Sequence, residues 1–276
     1  MRGFISIIKE HKTAAIVACL LVGTSTGAIA QADGDIKVEV INEGNSDFFL
    51  TPVWFGFHNG QFDFFNSGEA ASASLEAIAE DGIVDGLVAD FTAAPGVPGD
   101  IQGVVSNPAG FGGAPVIDPG ETATGFVTPI NPSAYQYFSF ASMIIPSNDT
   151  FIGNDNPFAY QVFTDSDEIN DPSGVFTIQI FGSDLYDAGT EVNDGLGAAF
   201  SAAAGVSTDE NGTVGPLGDE NLLTFFDGQT AAGTTVTDFI GSGELLATIN
   251  ISIVPEPASA SLLGLGVAAL AVRRRK

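Results

Sequence analysis

The chain has 276 residues and 28.3 kDa, with 34 Gly and 22 Phe but a single Trp and a single Cys, and a formal net charge of −26. That length holds one large β domain or two small ones. The scarcity of Lys and Arg excludes a coiled coil and argues against a nucleic-acid binder, whose phosphate contacts need cations; the wealth of Phe and Ile argues against a disordered chain.

The charges are unevenly placed. The bases are Arg2, Lys9, Lys12, Lys37, Arg273, Arg274, Arg275 and Lys276, so residues 31–254 hold 32 acids against Lys37 alone, a formal −31. Surface ion pairs cannot support such a domain. Its carboxylates must repel, be screened by salt, or hold cations.

At the N-terminus, Arg2, Lys9 and Lys12 precede a short apolar run over 14–22, and Ala28-Ile29-Ala30 is an A-x-A cleavage site. Residues 1–30 therefore read as a secretory signal peptide cut after Ala30, with the mature chain starting near Gln31. Ile16-Val17-Ala18-Cys19 loosely matches a lipoprotein box, but the apolar run continues past Cys19. Once Cys19 leaves with the signal, the mature protein has no cysteine and no disulfide.

The middle, 36–253, reads as one all-β domain: an antiparallel β-sandwich with one short helix and long loops. Residues 36–41 form the first strand expected from β-former content. Over 69–80, Leu75, Ile78 and Ala79 share a helical face and Gly82 follows as a stop. Residues 95–113 are Gly/Pro-rich and read as a loop. Further strands are expected over 136–145, 158–163, 175–181, 221–226 and 245–254, where Phe138 and Phe140 alternate with Ser139 and Ala141, and Ile249, Ile251 and Ile253 with Asn250 and Ser252. Residues 188–218, rich in Gly, Ala, Asp and Asn, read as a mobile excursion.

The C-terminus has three parts: Pro255-Glu256-Pro257, an apolar helix from Ala258 to Val272, and Arg273-Arg274-Arg275-Lys276. Fifteen helical residues span roughly 22 Å, short of the ~30 Å hydrocarbon core, which suits a transient inner-membrane anchor with the basic end cytoplasmic. This order, over 254–276, resembles the PEP-CTERM sorting tail of Gram-negative bacteria. The resemblance implies recognition and removal by an exosortase-type transpeptidase, with release to the cell surface or extracellular matrix.

Three stretches resemble the spondin N-terminal domain: 51–82, with aromatic-His-x-Gly-x-Phe-Asp and Ala79-Glu80-Asp81-Gly82; 142–157, with Pro146-Ser147-Asn148-Asp149; and 185–191, Leu-Tyr-Asp-Ala-Gly-Thr-Glu. The resemblance implies a C2-like sandwich with one calcium ion in loops at one end, and adhesion or matrix roles in animal members. Carried over, it puts metal ligands at Asp149, Asp187 and Glu191. A further acidic ligand of animal members falls near Val127 or Thr128, neither of which is acidic, and the family's cysteines are missing here.

The residues themselves are compatible with that site. Calcium takes six to eight hard oxygens. Asp149, and beyond it Asp155 and backbone carbonyls near Ile152, follow one expected strand; Asp187 and Glu191 follow another. The plainer reading has these aspartates capping turns through their own backbone. Zinc is disfavoured by a mature chain with one histidine, His58, and no thiolate. His58 itself reads as a strand-end histidine packed among Trp54, Phe55 and Phe57, which read as core. Gly23-Thr24-Ser25-Thr26-Gly27 matches G-x-S-x-G but lies in the signal, and Asp165-Ser166-Asp167-Glu168 lacks the Gly and Glu of a calcium-binding helix-loop-helix.

The expected function is an exported, non-catalytic surface or matrix module that binds a polysaccharide or surface protein through calcium-organised loops. The alternatives are a secreted polysaccharide hydrolase using two of the many carboxylates and a purely structural matrix protein.

Overall fold

The computed structural model describes residues 34–107, 110, 114–128, 131–218 and 223–255. The signal peptide and the helix expected over 258–272 lie outside them. Two antiparallel sheets share one apolar core. The first has four strands: β5 (Thr122–Val127), β1 (Gly34–Asn42), β13 (Leu245–Pro255) and β8 (Val175–Phe181), in that order. Ile36, Val38 and Val40 of β1 face inward, opposite Ile253, Ile251 and Ile249 of β13, while Lys37 and Glu39 face outward and pair at 2.5 Å. That alternation is what a sheet with one wet face requires.

The second sheet runs β10 (Gly215–Pro216), β9 (Tyr186–Asp187), β7 (Thr150–Gly153), β6 (Tyr137–Ile145), β3 (Val53–His58) and β4 (Gln102–Val105), with β2 (Phe49–Leu50) also on β6. A small hairpin, β11 (Thr230–Ala231) and β12 (Thr234–Thr235), stands apart. All six residues of β3 are buried, because both faces are covered. On the core side Phe55 and Phe57 pack on Phe138 at 5.9 and 5.2 Å. On the other side Trp54 packs on Phe62 and Phe91 at 5.6 and 5.5 Å. Phe91 belongs to α2 (Asp85–Ala93), which follows α1 (Ala73–Asp81). α2 and residues 59–67 thus form a lid over β3, and α1 packs beside it on β6 and β7. Gly56 has no side chain because a Cβ there would stand 2.6 Å from the Phe91 ring.

Several expectations are corrected. Among the described residues there are two α-helices, not one: α2 was hidden because Gly86 and Thr92 dilute its signal, although Leu87 and Phe91, four apart, make its buried stripe. α1 starts at Ala73, where Ser72 accepts the Leu75 N–H as N-cap, and stops at Gly82 as expected. Residues 158–163 form no strand; only isolated bridges at Gln161 and Phe163 remain. Residues 224–226 form a 3-10 turn instead of a strand. The loop expected over 95–113 contains β4.

The excursion is joined to the rest of the fold by backbone hydrogen bonds. β9 and β10 pair at its base, Asp187 opposite Gly215. The ribbon continues through Gly212 N–H to Gly189 O, Glu210 N–H to Thr190 O and Val192 N–H to Thr208 O. Its far end is stitched to the hairpin by Ala202 N–H to Thr230 O and Ala232 N–H to Phe200 O.

Candidate functional site: a buried turn under the excursion

The turn from β6 to β7 contains Ser147, Asn148 and Asp149, all with no exposure. A buried polar turn must find partners for every group. Ser147 Oγ donates to Ile144 O at 2.7 Å and accepts the Thr150 N–H at 3.1 Å. The excursion supplies the rest. Asn148 Oδ1 accepts the Gly195 N–H at 3.0 Å, and its Nδ2 donates to Leu196 O at 3.2 Å and Glu191 Oε2 at 3.4 Å. Asp149 Oδ2 accepts the Thr190 N–H at 2.8 Å, the Glu191 N–H at 3.0 Å and the Thr190 hydroxyl at 3.2 Å. Asp149 Oδ1 is buried and accepts no hydrogen bond.

The same clasp occurs elsewhere. Asp47 Oδ2 accepts the N–H groups of Thr237 and Asp238 at 2.8 and 2.9 Å and the Thr237 hydroxyl at 3.1 Å. In both places a carboxylate far away in sequence grips a Thr-acid dipeptide. Burial works upward on the Asp47 pKa, but these donors outweigh it and hold the carboxyl below its usual range. Asp47 sits at the surface, so its other oxygen needs no protein donor. Asp149 has no such outlet.

The sequence-derived residues divide. Asp187 lies beside Asp149 and opposite Thr150. It accepts the Gly189 N–H at 2.6 Å and the Asn193 side-chain amide. Gly189 is required there, with φ +66° and a Cβ position only 2.7 Å from Thr213 N. Burial, then the charge of Asp149, pushes the Asp187 carboxyl up to about 6. Glu191 contributes its N–H to Asp149 and a carboxylate oxygen to Asn148. Asp155 lies beyond the other end of β7, accepting the Ser67 N–H at 3.1 Å, and Ile152 is a ladder residue opposite Ser142. Val127 ends β5, in the other sheet.

Sequence reasoning missed Glu80. From α1 its carboxyl meets the Thr190 side chain, and burial, with the charges of Glu191, Glu76 and Asp149 adding, pushes it up to about 7. Its half-buried place in the chain gives no signal of this, because the encounter is between a helix and an excursion 110 residues apart.

Do these residues fit a calcium ion? The donors are hard oxygens, and the orphaned, buried Asp149 Oδ1 beside a second carboxylate is the kind of atom an ion or a water satisfies. Against that, no group of three or more His, Cys, Asp or Glu among the described residues is arranged to hold a metal. Asp187 and Asp149 Oδ2 are engaged by the excursion's own donors. The fit is therefore one oxygen and its neighbours, not a finished cage.

His58 is buried between Phe62 and Tyr137, with a hydrogen-bond partner on each ring nitrogen. Its Nδ1 accepts the Gly60 N–H at 3.0 Å, so the neutral ring carries its proton on Nε2 and donates to Ser139 Oγ at 2.9 Å. Ser139 Oγ also accepts from Asn154 Nδ2 at 3.0 Å. A histidine in this tautomer cannot take the serine proton, so the pair is not a nucleophile and its base. Burial pulls the His58 pKa down to about 4.

The groove of about 740 Å³ lined by Thr164, Asp167, Glu168, Asn170, Asp171 and Ile253 is built from a different loop. The Ser173 hydroxyl and N–H hold Asp171 below the usual carboxylate range, the reverse of what a general acid needs.

Two outcomes follow. Asp149→Ala leaves buried donors unpaired and should cost on the order of 3 kcal/mol in urea unfolding, whereas Asp47→Ala, whose donors reach water, should cost about 1. His58 protonates more easily unfolded than folded, so its contribution is present above about pH 6.5 and is lost as the pH falls towards 4. Between pH 7 and pH 5 the wild type should lose about 2 kcal/mol more than His58→Gln, measured by urea unfolding at both pH values.

Among the described residues no helix is long and apolar enough to cross a membrane. No curated protein matches the chain. A family model for the PEP-CTERM protein-sorting motif matches residues 254–276. The chain therefore ends in a signal for export and cell-surface sorting in Gram-negative bacteria, the signal that exosortase recognises, with Pro255, Glu256 and Pro257 inside it.

Proposed function

We propose that this is an exported, non-catalytic surface module whose excursion, held on the β6–β7 turn, is tightened by a calcium ion at Asp149 and presented to a polysaccharide or surface protein. The export and sorting follow from the motif at 254–276. The observation that carries the rest is the buried Asp149 Oδ1, which accepts no hydrogen bond. The likeness of 146–149 and 185–191 to the spondin N-terminal domain supports the same residues. Asp149, with Asp187 and Glu191 nearby, would hold the ion, which would supply charge neutralisation for carboxylates that have no cationic side chain near them. Asp155 is not part of this set, since it follows the far end of β7. Exosortase is the partner at the tail, where the stretch from Ala258 to Val272 would hold the chain at the inner membrane until processing.

The excursion offers a binding surface in this reading. Val192, Leu196, Phe200 and Val206 are exposed along it, Val206 at 83%. Ordering the ribbon at its base would fix these side chains relative to the sandwich.

A hydrolase has one observation in its favour: Glu80 and Asp187 are carboxyls raised towards neutrality. Both Asp187 oxygens, however, are occupied by Gly189 and Asn193. A purely structural matrix protein would keep the clasp and need no ligand.

Thermal unfolding with EGTA, calcium or magnesium at constant ionic strength separates these readings. Calcium alone should raise the melting temperature, and Asp149→Asn with Asp187→Asn should abolish the rise. Equal responses to calcium and magnesium that survive both substitutions would mean diffuse screening, and the calcium assignment would fall.

A further inference from the structure

β8 is the outer strand of the four-stranded sheet, paired on one side with β13. Natural edge strands are protected by charge, proline or a covering element. β8 has none of the first two: from Gly174 to Ser183 there is no charged residue and no proline. It is instead guarded at its ends by local side chains. Gly182 N–H bonds Glu244 O on the β13 side, so alternate residues going back along the strand point their backbone groups away from β13. These are Phe181, Gln179, Thr177 and Val175. The Phe181 N–H is taken by Asp184 Oδ2 at 2.8 Å, and the Val175 N–H and C=O both engage Ser173 Oγ at 3.2 Å. Between these guards, Thr177 and Gln179 are exposed residues whose outward N–H and C=O groups have no strand partner among the described residues. The strand is closed at both ends and open in the middle.

We propose that this window pairs with the same window of a second copy, joining two four-stranded sheets into one of eight strands about a two-fold axis at Ile178. The register is self-complementary. With Ile178 facing Ile178, Thr177 faces Gln179 of the second copy, and both residues of each pair have outward N–H and C=O, so the two pairs make four backbone hydrogen bonds. On the outer face the same register sets Val175 against Phe181 and Thr177 against Gln179, twice each. A one-residue slip would put inward-bonded residues opposite outward ones and lose the bonds. The electrostatics favour a second copy here over other faces of the molecule. Two domains of formal −31 repel wherever their acids meet, and this uncharged ten-residue edge is where they approach with fewest. Repulsion returns at the ends, where Asp184 of one copy comes alongside the turn from Asp171 to Gly174 of the other. Pairing therefore strengthens as salt rises.

Sedimentation equilibrium of the full chain carrying Cys19→Ser, in non-ionic detergent at 0.1 and 1 M NaCl, tests the proposal. The expected result is a dimer fraction that grows with salt. Gln179→Pro removes one outward N–H per copy and no bond to β13, so it should weaken dimerisation about tenfold or more while leaving the melting temperature within a few degrees. Register is read by oxidation. A mixture of Thr177→Cys and Gln179→Cys chains should form a disulfide-linked dimer, and neither variant alone should, because equivalent positions lie one diagonal apart. A monomer at every salt concentration, a dimer indifferent to Gln179→Pro, or equal cross-linking by the single variants would overturn the proposal. A monomer that instead captures an added extended peptide on β8 would also do so, by giving the edge a different occupant.

Discussion

Among the described residues one lysine faces the whole complement of carboxylates, so negative charge has to be held by something other than cationic side chains. Backbone N–H groups take that role. Asp47 and Asp149 each grip two successive N–H groups, and Asp155, Asp167, Asp184 and Glu244 each accept one, from Ser67, Ser133, Phe181 and Gly241. A carboxylate accepting backbone donors gains a charge-assisted hydrogen bond and gives the loop a fixed path. The loops of this sandwich are long, and these contacts are what turns them from entropy into structure. The surplus acids remain solvated and repel, which fits a protein sorted to the outside of the cell, where salt and divalent ions screen them.

The turn between β6 and β7 carries that principle furthest. Its Asn148 and Asp149 side chains lie beneath an excursion that supplies their partners, so turn and excursion each depend on the other. Asp47 and Asp149 make the same clasp in different surroundings. At the surface the second oxygen is wet and the carboxyl is more acidic than usual; in the interior it is unpartnered, with Asp187 and Glu80 raised towards neutrality around it. A cation would relieve all three together. The clasp itself does not need one, which is why a structural and a calcium-dependent role can share the same residues.

The sequence made legible what depends on local pattern. The alternation in β1, β8 and β13 marks strands with one face on the core, and Ser72 and Gly82 bracket α1 through cap chemistry. β6 alternates Phe138 and Phe140 with Ser139 and Ala141 as a one-faced strand would, yet Phe138 to Ile145 are all buried, because α1 packs on it as well. What it concealed depends on tertiary cover. β3 has no alternation because Phe91 and Phe62 lie on its second face. Within 158–163, Val162 and Phe163 are buried by packing, without a ladder to join, while Phe158 is exposed. For the site, the pairing of Asp149 with Asp187 and Glu191 was readable from the motifs that place them at strand ends. The distance of Asp155 from Asp149 follows from β7 itself, whose four extended residues lie between them. Glu80 was unreadable, since nothing in α1 announces an excursion lying on it.

The claim on which the account rests is that Asp149 fixes the excursion through two backbone N–H groups. Amide hydrogen exchange of Thr190 and Glu191 tests it most directly. The account predicts that both amides exchange as slowly as those of the β1–β13 ladder and become fast in Asp149→Ala, while the ladder amides stay slow. Exchange at Thr190 and Glu191 in the wild type as fast as at an open loop would contradict it.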